Sequence, residues 1–119
     1  MTAKNHNPRP PDNTRRVNAW RDLPSDRTPA RYEIRDADGT TREITLRHGN
    51  RVILDALLER PLYCASPVRI SDRVCILRRE YGVPITRRMY DTDRATDRQR
   101  FGVYFIGQGV TRIDGRPEA

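Results

Sequence analysis

The chain has 119 residues, 35% of them hydrophobic, with 23 basic against 16 acidic side chains and a net charge of +7. A chain this short holds one domain with a modest core. Mean hydropathy is -0.87, and the longest apolar runs, Val52 to Leu54 and Val103 to Ile106, fall far short of the roughly 20 apolar residues that a membrane-spanning helix needs.

Met1 to Asn13 contain no apolar stretch of the kind found in a signal peptide or amphipathic transit segment, so a cytoplasmic protein with no membrane partner is expected. Residues 1–30 hold five of the nine prolines, with many Asn, Arg and Asp. That composition predicts a disordered basic tail, because it offers little apolar surface to offset ordering entropy. Val17, Trp20 and Leu23 are its only sizeable apolar residues, and Trp20 and Leu23 could dock as a short motif on the domain or on a partner.

The domain is expected to span residues 31–113, with 114–119 frayed. Tyr32 and Ile34, then Ile44 and Leu46, alternate with polar residues at period two around Asp38-Gly39, which predicts a β-hairpin. Asp36 and Asp38 resemble calcium ligands only superficially. The remaining loop positions and the closing glutamate are missing, so turn chemistry accounts for them.

Asn50 can cap a helix from Arg51 to Arg60, ended by Pro61, with Val52, Ile53, Ala56, Leu57 and Leu58 as its core face. A second helix, about 67–81, follows Ser66-Pro67 and ends at Gly82 and Pro84. If Ser71 caps it instead, residues 66–70 are left for one short turn. On a wheel of about 100° per residue, Ile70, Val74, Leu77 and Tyr81 share one side and face the core. Arg69, Asp72, Arg73, Ile76 and Arg79 lie opposite. The end of the chain reads as two strands, from Val83 and from Phe101, flanking a polar loop from Asp91 to Arg100; a short strand follows within Gly107 to Ile113.

Charge is unevenly placed. Residues 31–60 balance six arginines with six acids, whereas residues 61–90 set six arginines (69, 73, 78, 79, 87 and 88) against Asp72 and Glu80, a net +4. Of the 23 basic side chains, 22 are arginine, the one suited to bidentate contact with phosphate or guanine, although a GC-rich genome also drives lysine toward arginine.

The order hairpin, helix, helix, hairpin fits a winged helix preceded by an extra hairpin. Arg51-Val-Ile-Leu-Asp-Ala-Leu-Leu, Leu77-Arg-Arg-Glu-Tyr-Gly-Val-Pro-Ile85 and Arg100-Phe-Gly-Val-Tyr-Phe-Ile106 resemble the first helix, the recognition-helix end and the closing wing strand of small winged-helix proteins of phages and bacterial prophages. The resemblance covers roughly residues 31–113. It departs in the middle helix, for which only Leu62 to Arg69 remain, so that helix is degenerate or fused to the next.

The resemblance implies an α+β winged-helix fold that binds double-stranded DNA as a transcriptional regulator or DNA-architecture factor. Its recognition helix would span about 67–81 and its wing about 84–106. Arg73 and Arg79 are the candidates for base contact, and Arg69, Arg78, Arg87, Arg88 and Arg98 for phosphate contact. Ile76 is the small apolar group able to touch a thymine methyl. Sequence-specific reading by so small a domain calls for a homodimer on a two-fold site. Localisation would then be nucleoid-associated, or the cytoplasm of a phage host.

No catalytic residue, metal site or cofactor is expected. His6 and His48 have no triad partners, Gly107-Gln108-Gly109 is too short to cradle a nucleotide, and Cys64 and Cys75 lack zinc-site spacing. The rival to DNA binding is a non-catalytic interaction module, an inhibitor or adaptor of a host protein, using Ile76, the hairpin or Trp20.

Overall fold

A computed structural model describes residues 9–64, 70–93 and 98–113. In chain order these form β1 (Arg15–Val17), a 3-10 turn (Trp20–Asp22), β2 (Ala30–Arg35), β3 (Thr41–Leu46), α1 (His48–Glu59), β4 (Leu62–Cys64), α2 (Ile70–Glu80), β5 (Ile85–Asp93), β6 (Arg98–Ile106) and β7 (Val110–Ile113). The architecture is mixed α+β, with one sheet in the order β1-β4-β6-β5 and another in the order β3-β2-β7.

The alternating residues of β2 and β3 form the expected hairpin, with Tyr32 opposite Ile44 and Ala30 opposite Leu46. Gly39 sits at φ 90, a backbone state that costs glycine little, and Asp38 accepts the Thr40 amide at 2.9 Å. Bonds from Thr40 hold the Asp38 carboxyl below its usual pKa range. The two aspartates are therefore turn residues, and Asp36 also receives Arg42 at 3.3 Å. The short final strand, β7, adds to the free side of β2, with Val110 opposite Ile34.

Helix α1 lies at the centre of the core. Every residue from Arg51 to Leu57 is buried, because β2 packs on the side bearing Asp55 while α2 and β6 pack elsewhere around the helix. A helix buried on nearly all sides has no solvent face for its polar residues. Arg51 and Asp55 answer this by pairing across one turn, with Nε to Oδ2 at 3.0 Å. The helix begins at His48 rather than after Asn50, and no side chain caps its start. Asn50 lies within the first turn, and its side-chain carbonyl accepts a bond from Arg73 at 3.3 Å.

Three further expectations are corrected. Residues 15–23 belong to the fold instead of to a disordered tail: β1 runs parallel to β4, with Val17 opposite Cys64, and Val17 and Leu23 are buried with Trp20 packed against them. Burying a valine or leucine is worth about 1.5–3 kcal/mol, which offsets the entropy of ordering a short strap. Leu62–Cys64, set aside for a middle helix, is strand β4, paired with β6 at Leu62–Tyr104 and Tyr63–Val103. The described ends of the polar stretch from Asp91 to Arg100 are strand: Asp91 lies opposite Arg100, with their charged groups 3.8 Å apart, and Asp93 opposite Arg98 in the ladder. The first eight residues, the helix start expected at 66–69, residues 94–97 of the expected polar loop and the fraying expected at 114–119 lie outside the described residues.

Candidate nucleic-acid interface

Helix α2 buries Ile70, Val74 and Leu77, with Tyr81 packed partly against the same cluster, as its wheel predicts. Its C-terminal end is fixed from outside: Arg42 donates from Nη1 to the Tyr81 carbonyl at 2.7 Å and from Nη2 to the Gly82 carbonyl at 2.9 Å. These bonds satisfy carbonyls that a helix end leaves open. Gly82, at φ 64, then turns the chain into β5.

Between α2 and the β5–β6 hairpin lies an open groove of about 760 Å³, lined by Ser71, Val74, Cys75, Arg78, Arg79, Arg87 and Tyr104. Arg78 and Arg79 come from the last turn of the helix. Arg87 comes from β5 and lies directly opposite Tyr104 of β6. Gly102 makes room for it, because the Arg87 Cδ lies 2.9 Å from where a glycine-replacing Cβ would stand. No acidic residue is among the described residues that line the groove. Among the described residues, none of the three guanidiniums pairs with a carboxylate. Three like charges thus gather on one exposed groove, which raises the local positive potential.

The remaining candidates are spread around this groove. Arg73 turns the other way, toward α1, where its Nε lies 3.2 Å from a Cβ position on Gly49 and its Nη1 bonds Asn50. Arg73 and Arg79, paired on the wheel, therefore occupy different flanks of α2. Ile76 is half-buried. Arg88 points to the opposite face of the hairpin, its guanidinium 5.7 Å from the centre of the Phe105 ring, beside the buried cluster of Tyr63, Tyr90, Phe101 and Val103. Arg98 opens β6 opposite Asp93, and Arg69 lies outside the described residues.

Sequence reasoning missed Ser71, Cys75 and Tyr104. The first two were legible, since Ser71, Cys75 and Arg78 follow the i, i+4, i+7 spacing of one helix face. Tyr104 was not, because its partner in β5 depends on a hairpin register hidden while residues 91–100 read as loop.

A second polar cluster is structural. Arg51 donates from Nη1 to the Thr28 carbonyl at 2.8 Å and meets Asp26 at 3.0 Å, and Tyr32 Oη donates to Asp55. Burial and the neighbouring Asp55 push the Tyr32 hydroxyl far above its ordinary range, so it stays protonated as a donor. With its groups engaged by one another, this cluster has little left to offer a ligand.

Among the described residues, no group of His, Cys, Asp and Glu is placed to hold a metal ion, and no helix is long and apolar enough to cross a membrane. No family model, curated protein or solved structure matches the chain.

Proposed function

We propose that this chain binds double-stranded DNA as a winged helix, presenting α2 to the major groove and the β5–β6 hairpin as the wing, in the role of a transcriptional regulator or DNA-architecture factor. The observation that carries the proposal is the convergence of Arg78, Arg79 and Arg87 on one open groove with no acid among its described lining residues. Topology adds support: helix, strand, helix and hairpin follow in order, and the strand between the helices joins the hairpin through its second strand, β6.

A helix fits the major groove, where arginine reads guanine and meets phosphate. Arg79, furthest from the core side of α2, is the base-contacting residue of this proposal. Arg78 and Arg87, which line the groove from α2 and β5, take phosphates. Arg73 holds α1 and α2 together and contributes to DNA only through its charge.

The test is titration of a labelled mixed-sequence duplex at low and moderate salt with the wild-type chain and the Arg78→Ala, Arg79→Ala, Arg87→Ala variant. Binding that weakens steeply with salt and is lost in the variant supports the proposal. Absence of binding at low salt overturns it and directs attention to a protein partner.

A further inference from the structure

Strand β5 ends its sheet, with β6 on one side and, among the described residues, no strand on the other. The Gly107 amide donates to the Pro84 carbonyl at 2.7 Å, which makes that couple a hydrogen-bonded pair of the β5–β6 ladder. Such pairs alternate along an antiparallel ladder. Even-numbered residues of β5 therefore bond to β6, while Ile85, Arg87, Met89 and Asp91 direct their amides and carbonyls to the open edge.

Side chains at these odd positions share one face of the strand. Along it the charge reverses sign about Met89, with Arg87 on one side and Asp91 on the other. Met89 is itself the exposed large hydrophobic residue among those described, at 41%. Charged side chains on an edge strand ordinarily guard against pairing with another chain. A reversal about one apolar residue has a different consequence, because the edge becomes complementary to an antiparallel copy of itself.

We propose that two copies of this chain join through the open edges of β5, antiparallel, with Met89 opposite Met89 on the two-fold axis. In that register Arg87 faces the second copy's Asp91, Met89 exchanges both backbone bonds with its counterpart, and the exposed thioether is covered. Neighbouring registers are worse: centring on Arg87, Arg88 or Asp91 sets like charges directly opposite, and centring on Tyr90 sets the apolar Met89 opposite the charged Asp91. The two-fold axis stands perpendicular to the joined sheet, so both α2 helices lie on the same face with their arginine grooves directed the same way. The inference needs no part of the DNA proposal, although a two-fold DNA site would suit such a pair.

The experiment reads mass by light scattering across a concentration series of the full chain without DNA. The expected result is concentration-dependent conversion from 13.9 kDa toward twice that mass. Asp91→Arg should keep the chain monomeric, and Arg87→Asp combined with Asp91→Arg should restore the dimer. In a Cys64→Ser, Cys75→Ser background, Met89→Cys should cross-link two chains under oxidised glutathione, since Cα atoms of a hydrogen-bonded pair lie about 5.5 Å apart; Thr86→Cys should not. A monomer at every concentration, or an undiminished dimer in Asp91→Arg, overturns the proposal. Because no DNA is present, the mass reading does not depend on DNA binding; Arg87 belongs to both surfaces, and Asp91→Arg, which alters the edge without touching a groove arginine, separates the two.

Discussion

Five arginines around α1 and the β3-β2-β7 sheet are matched with carboxylates, whereas, among the described residues, the three lining the groove are not. Arg15 meets Glu59 at 2.6 Å, Arg31 meets Glu43 at 3.0 Å, Arg42 meets Asp36 at 3.3 Å, and Arg112 reaches Asp55 at 3.9 Å. Arg51 is enclosed by Asp26 and Asp55. In the other region Arg78, Arg79 and Arg87 share a groove with no carboxylate among its described lining residues. The same residue type thus does two jobs, and residues 61–90 carry +4 of the chain's net +7. Paired arginines should matter to stability and unpaired ones to binding.

The sharpest break in that pattern is Asp55→Ala. It leaves Arg51 buried with one fewer partner and Tyr32 without its acceptor, and removing one partner of a buried ion pair costs about 3–5 kcal/mol. Urea unfolding should show a loss of that order, while duplex affinity of the folded fraction stays unchanged. Arg79→Ala should do the reverse, weakening duplex binding by about 1–3 kcal/mol with stability within about 0.5 kcal/mol of wild type. Arg31→Ala tests the exposed end of the paired set. Both partners are about half exposed, so urea unfolding should register no more than about 1 kcal/mol.

The smallest effect concerns pH. Thr40 holds the Asp38 carboxyl lower in the folded chain than its ordinary value of 3.8. The folded state therefore binds that proton less readily than the unfolded chain, and the associated stability is full above the unfolded value and lost as pH falls through the folded one. Urea midpoints of wild type and Asp38→Ala should differ at pH 6 and converge as the pH is lowered well below the ordinary value of 3.8.

Much of this division was legible in the sequence. The hairpin at Asp38-Gly39, the core face of α2 and the excess charge on residues 61–90 follow from period, turn chemistry and counting. What escaped was non-local. Val17 and Leu23 are ordinary residues in a proline-rich segment, and only the free edge of β4 gives them something to pack on. Arg73 and Arg79 lie on one half of the wheel, yet α1 claims the first through Gly49 and Asn50. A helical wheel gives direction around an axis and says nothing of which neighbour stands there. Arg51 and Asp55 were visible as an i, i+4 pair, but their burial depends on β2 arriving from 20 residues upstream.

The central contrast is tested most directly by the salt dependence of duplex binding for two triple variants of equal charge. Arg78→Ala, Arg79→Ala, Arg87→Ala and, separately, Arg15→Ala, Arg31→Ala, Arg112→Ala each lower the net charge from +7 to +4. With a slope of about 0.9 per phosphate neutralised, the first should flatten the plot of log affinity against log salt by about 2–3, and the second should leave the wild-type slope in place. Equal flattening by both would mean that overall charge, and not the groove between α2 and β5, accounts for binding.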